Sequence, residues 1–229
     1  VSRCSHVLVR VHDLHRAVAD FRAAGFDVHY ATDETKALHA HVWFADGPII
    51  ELLTTPRAAR LLRLPLALMF GRGAGRRMVR WARQGEGFCD VAVLVADDDL
   101  DPTRKALRES GVATARAVRW TRTRPDGGRT RFRFCYPRRD RIPFFVTPYD
   151  PPQHPPETTH ANGATALRTV VLGAASGDEP ALRRLVGTDP GFRIEPADRT
   201  GVRAVELAGL REPPDPALLH GAVVLPATH

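Results

Sequence analysis

Two histidines and a tryptophan recur on alternate residues in the run Leu38-His39-Ala40-His41-Val42-Trp43-Phe44. Side chains of a β-strand alternate between faces, so His39, His41 and Trp43 would share one face. Leu38, Ala40, Val42 and Phe44 would take the apolar one. The polar face could then offer a ligand, a general base and a stacking surface. Glu51 sits inside Ile49-Ile50-Glu51-Leu52-Leu53, where an unpartnered carboxylate would be costly. It needs either a functional partner or an ordinary arginine. His6 opens the alternating run His6–Val11, in which Val7, Val9 and Val11 form one face and His6, Leu8 and Arg10 the other.

The elements that must position these residues repeat. Residues 6–11 read as a strand, Arg16–Ala24 as a helix closed by Gly25, and Phe26–Ala31, Leu38–Ala45 and Pro48–Thr54 as three further strands. Ala45-Asp46-Gly47 reads as a hairpin turn. The same βαβββ order returns in Cys89–Ala96, a helix from Pro102 to Ser110, Ala115–Arg124, Thr130–Pro137 and Ile142–Thr147, with Pro125-Asp126-Gly127-Gly128 as the hairpin turn. His6 and Asp90 hold matching first-strand positions, and Pro48–Glu51 matches Pro143–Val146. A third, degraded copy is expected from Leu167–Gly173, helix Pro180–Val186, Phe192–Glu195, Val202–Leu207 and Ala222–Leu225. The expected division is a first module over 1–55, a helical insertion over 56–87 and a second module over 88–150. A Pro-rich linker and partial third module follow over 151–229. Within the insertion, Leu61–Phe70 reads as helix broken at Pro65 and at Gly71-Arg72-Gly73-Ala74-Gly75.

This tandem βαβββ pattern, with a first-strand His and a fourth-strand Glu, resembles the vicinal oxygen chelate superfamily. Ile142-Pro143-Phe144-Phe145-Val146, a Pro-rich linker and His160-Ala161-Asn162-Gly163-Ala164 resemble glyoxalase-like domain proteins. The resemblance implies an α+β fold of tandem modules around a cleft, and metal ligands from the first and fourth strands. Those positions read His6, Glu51, Asp90 and Val146, leaving the fourth to Thr147, water or nothing. One imidazole and two carboxylates would suit Zn, Fe, Mn, Ni or Co. The resemblance further implies a metal-dependent isomerase or lyase acting on an oxygenated metabolite. Glu51 and His41 would be catalytic, with His39, Trp43 and Arg133 against substrate. Extradiol oxygenation would require His41 in place of Asp90.

Composition bounds the alternatives. The 229 residues are 43% hydrophobic and 26% charged, as in a globular chain. No apolar run reaches the ~18–20 residues of a membrane span, and the opening strand leaves no visible secretory signal, so a cytoplasmic protein is expected. Cys4, Cys89 and Cys135 form an odd trio without CxxC spacing and read as buried thiols. The net charge of +7 is almost all arginine, with Lys36 and Lys105 the only lysines. Neither dense stretch, Arg72–Arg83 or Arg116–Arg141, matches a nucleic-acid module, so nucleic acid is not the expected partner. A small, anionic molecule is. Trp43, Trp120, Arg119, Arg131 and Arg133 also admit a metal-free binding or self-resistance protein. Asp97–Asp101 lacks the spacing of a calcium loop, and Gly71–Gly75 lacks the strand that a phosphate loop follows. The apolar part of residues 61–70 could seat a second copy as a homodimer.

Overall fold

The computed structural model describes residues 3–96, 98–123, 126–155 and 157–228. The first strand, β1 (Arg3–Arg10), leads into α1 (Leu14–Ala23). The Asp13 side chain caps this helix by accepting the Arg16 N–H. Then β2 (Val28–Tyr30), β3 (His39–Val42) and β4 (Ile49–Leu53) form an antiparallel meander, and β4 closes parallel on β1. Two helices follow, α2 (Arg63–Phe70) and α3 (Ala74–Arg83). Pro65 does not break α2. It lies in the first turn, where a proline's missing N–H leaves no intrahelical bond unmade.

The second unit repeats the plan with β5 (Gly87–Leu94), α4 (Asp101–Glu109), β6 (Val118–Thr123), β7 (Arg129–Cys135) and β8 (Phe144–Val146). Strand β8 closes parallel on β5. Antiparallel pairing of β1 with β5 joins both units into one eight-stranded sheet, ordered β2-β3-β4-β1-β5-β8-β7-β6. The fold is therefore α+β with tandem βαβββ modules.

The C-terminal part forms a separate four-stranded sheet. Its elements are β9 (Ala166–Ala174), α5 (Glu179–Val186), β10 (Phe192–Pro196), β11 (Gly201–Ala208) and β12 (Val224–Pro226), with strand order β10-β9-β11-β12. The element order is βαβββ again, but the pairing differs. Here β9 takes β10, the strand just after the helix, as its parallel neighbour. In the other units the first strand takes the last.

Strand parity gives the large sheet two faces. Val7, Val9, Ile50, Leu52, Val91, Val93 and Phe145 pack one face into a core shared with α1, α4 and the C-terminal unit. Leu8, Leu53, Ala92, Phe134, Phe144 and Val146 lie on the other, under Ala74 and Trp81 of α3 and Phe70 of α2. The insertion thus roofs the site face over the second unit. Its two helices meet at Gly75, where a Cβ would stand 2.0 Å from the Arg63 carbonyl oxygen. Arg124 at the end of the expected strand Ala115–Arg124, Pro125 of the expected hairpin turn, Asp97 of the acidic run and Pro156 of the linker lie outside the described residues. Among the described residues, no helix is long and apolar enough to cross a membrane.

Candidate active site

Residues directly opposite in a sheet share a face. Glu51 on β4 lies opposite Leu8 of β1 and His41 of β3, so its carboxylate emerges on the site face with His6 and His39. The distances are short. His39 Nδ1 is 2.5 Å from Glu51 Oε1, His6 Nε2 is 3.4 Å from Oε2, and His41 Nε2 is 3.9 Å from Oε1. Ser5 Oγ holds the other ring nitrogen of His6 at 3.0 Å.

A cation completes the group from the far edge of the sheet. Arg122 on β6 places Nη2 3.9 Å from Glu51 Oε1 and Nη1 3.5 Å from His41 Nε2. Strands β3 and β6 stand near opposite ends of the strand order. Their contact through Arg122 means that the sheet curls around this point.

Burial and charge set the protonation states. Burial pushes the Glu51 carboxyl up, but the His39 hydrogen bond, with His41 and His6, holds it well below the usual carboxylate range. Burial brings the His6 imidazole down to about 4, against the opposing pull of Glu51. Burial also lowers His41. At neutral pH the centre is an ionised carboxylate beside two neutral imidazoles.

Two cavities meet here. The first, about 370 Å³, lies under α2 and α3 and is lined by Leu62, Phe70, Trp120, Phe132 and Phe144. The second, about 390 Å³, opens past His41, Trp43, Gln153, His154 and Arg168. His6, Glu51, Arg122 and Tyr149 line both. Burial pushes the Tyr149 phenol up to about 12, so it stays a donor.

Of the residues singled out in the sequence, His6, His39, His41 and Glu51 converge, and Trp43 walls the second cavity against His41 and His154. Asp90 does not join them. Its carboxylate accepts from Arg77, from Arg80 Nη2 at 3.0 Å and from the Trp81 indole at 3.0 Å, all on α3. Two guanidiniums already answer the charge that a cation would need. Val146 supplies no donor and packs in the core beneath the roof. The Thr147 hydroxyl accepts the Arg133 N–H and donates to the Pro148 carbonyl. Among the described residues, no group of three or more His, Cys, Asp and Glu is placed to hold a metal ion. The donor set therefore does not fit the expected His6–Glu51–Asp90 metal centre.

Arg133 is a second correction. It shares the parity of buried Cys135 rather than that of Phe132 and Phe134, and Nη1 donates to the Asp98 carbonyl. The cation at the site is Arg122, legible in principle because Arg122 alternates with Trp120 and pairs with Thr130. Arg77, Arg80 and Trp81 carry a helical spacing that their charged, Gly-flanked surroundings obscure. His160 holds the chain together rather than lining the site. Its Nδ1 accepts the Asp27 N–H and its Nε2 donates to the Trp43 carbonyl.

Residues 4–186 match the glyoxalase-like domain family. The chain belongs to that family. A hypothetical protein from Staphylococcus aureus superimposes over 98% of this chain and 98% of its own, with a TM-score of 0.70 at 14% identity. The Mn(II)-bound glyoxalase from Novosphingobium aromaticivorans covers 91% of this chain over 66% of its own, with a TM-score of 0.53 at 12% identity. Both likenesses are of fold. A search of curated proteins found no match. As a glyoxalase-like domain, the chain has the vicinal oxygen chelate architecture. Its site departs from the four-ligand pattern at two of four positions.

Proposed function

We propose that this glyoxalase-like domain is a small-molecule enzyme that moves a proton at carbon, in isomerase or lyase chemistry, with Glu51 as general base. The observation that carries the reading is an ionised, buried carboxylate placed where two cavities meet. Buried charge without a task or a full partner is costly. Glu51 accepts from His39 at 2.5 Å, and Arg122 stands at 3.9 Å, longer than a direct hydrogen bond.

In this reading Glu51 takes a proton from the carbon beside a substrate carbonyl. The electron pair of that C–H bond moves onto the carbonyl oxygen, where Arg122 and the Tyr149 hydroxyl lie within the same pocket to stabilise the developing charge. His39 orients the carboxylate, and His41 stands beside it to pass a proton. Returning the proton to the other face completes an isomerisation, and expulsion of a β-substituent completes a lyase reaction. Polarisation of substrate oxygens thus falls to Arg122 and Tyr149.

A second reading is sequestration of a planar compound without turnover. The aromatic lining of the first cavity favours it. Deuterium exchange separates the two. In D2O, a panel of carbonyl acids and ketones should yield a substrate that gains deuterium beside its carbonyl with the wild-type protein. Glu51→Gln should slow that exchange by roughly 10²–10⁴-fold while its circular dichroism stays unchanged. Equal exchange by both proteins would remove Glu51 as the base. Tight binding of a panel member with no exchange would favour sequestration.

A further inference from the structure

We infer that the ligand of this site is a two-armed molecule, with an apolar ring-bearing arm under the α2–α3 roof and a hydrogen-bonding arm in the second cavity. The inference rests on the proposed location of the site but not on its chemistry. Three observations carry it.

The two cavities adjoin at the residues they share, the neck, and the roofed one is the more apolar. The roofed one is walled by Leu, Phe, Trp and Met side chains, with the polar groups of His6, His39, Glu51 and Arg122 gathered at its neck end. The other adds Arg3, Ser5, Gln153, His154 and Arg168 to apolar walls from Trp43, Ile49, Leu94 and Leu167, with Asp46 and Asp189 also on its lining. Asp189 is already committed to the Cys4 and Gly191 N–H groups, and Asp46 accepts the Gly47 N–H.

The roofed cavity also leaves apolar surface uncovered. Leu38, Leu62 and Trp120 are 46%, 42% and 42% exposed, and all three line it. Phe70, Met78 and Phe132 pack against the adjoining core while only partly buried. A flat apolar group seated beside the Phe70–Trp120 contact would cover this surface, and concave apolar walls with a few convergent polar groups are the usual form of a ligand site.

The lining of each cavity further includes a residue with an enclosed polar atom that has no hydrogen-bond partner among the described residues. In the roofed cavity it is the Thr55 hydroxyl, and in the second it is the Gln153 amide nitrogen. Groups left unpaired in a fold are costly unless something else satisfies them. Turned toward its cavity, the Gln153 amide would donate to the hydrogen-bonding arm and the Thr55 hydroxyl would meet a heteroatom on or beside the ring. The neck between them presents Glu51 to whatever joins the two arms.

N-benzoylglycine is a suitable probe. Its ring suits the roofed cavity, its amide N–H can donate to Glu51 at the neck, and its carboxylate can reach Gln153 and Arg168. N-acetylglycine is the same molecule without the ring. Calorimetry should find N-benzoylglycine bound at least about tenfold more tightly, the low end for burying one aromatic ring. Trp120→Ala and Leu62→Asp, both on half-exposed positions, should reduce that ratio and leave N-acetylglycine binding unchanged. Gln153→Leu should weaken both ligands. Equal affinities, no binding of either probe, or a ratio untouched by both roof variants would overturn the inference. The proton-transfer reading fails separately. If the ring preference holds while no substrate shows Glu51-dependent exchange, the two-armed ligand stands and the catalytic role of Glu51 falls. Glu51-dependent exchange on ring-less compounds without any ring preference gives the reverse.

Discussion

Glu51 and Asp90 flank Leu8 on either side of β1, and their neighbours give them opposite tasks. Asp90 is closed off by two guanidiniums and an indole, whereas Glu51 faces imidazoles and open space. The imidazoles carry a pH signature. His6 is neutral in the fold down to about pH 4, but ionises near 6.5 once the chain unfolds. The unfolded state therefore binds more protons between those values, so stability is complete above 6.5 and falls as pH drops toward 4. One such shift corresponds to about 3 kcal/mol. Denaturant midpoints measured from pH 7.5 to 4.5 should drop for the wild-type protein and drop less for His6→Gln. Parallel curves would show that the His6 environment does not depress its ionisation.

At the scale of elements, α3 explains why Asp90 is closed off. Ala74 and Trp81 pack on the site face, and Arg77, fully buried, binds Asp90 and donates to the Ile142 carbonyl while lying over the Tyr136 and Phe144 rings. The helix covers Asp90 and packs on the site face of the second unit. Removing one member of a buried ion pair strands the other. Asp90→Ala should cost about 3–5 kcal/mol in chemical denaturation, through Arg77, without changing the metal content of protein equilibrated with Zn, Mn or Ni. A stable Asp90→Ala protein that lost bound metal would restore Asp90 as a ligand.

At the scale of the whole molecule, the C-terminal unit is part of the main core. Val170, Leu172, Leu182, Val205 and Leu207 pack in the same cluster as Val7, Val9, Val91 and Val93. Polar ties reinforce the join: the Asn162 N–H donates to the Gly25 carbonyl, its side chain to the Ala24 carbonyl, and the Cys4 N–H to Asp189. Ending the chain after residue 165 would bare this face of the sheet, a patch large enough to drive association. The truncated protein should form oligomers in size-exclusion chromatography and lose its cooperative thermal transition. A monomer that unfolds cooperatively would mean that the first two units bury their own core.

The sequence by itself determined the strands, helices and tandem order, because alternation and helical spacing are local patterns that burial on one face imposes. It also placed His39 and His41 on one face and singled out Glu51, whose charge in an apolar run had to be answered. What it did not determine was which cation answers which carboxylate. Arg122 lies 71 residues from Glu51 and reaches it only because the sheet curls. Arg77 and Arg80 reach Asp90 only because α3 folds back over the second unit. The pairing of the third unit is likewise decided in space, since the same order of elements closes on a different neighbour. Ion pairing and strand partnering are contacts between distant segments, and a chain rich in arginine offers many partners of equal local merit. Only the packed structure chooses among them.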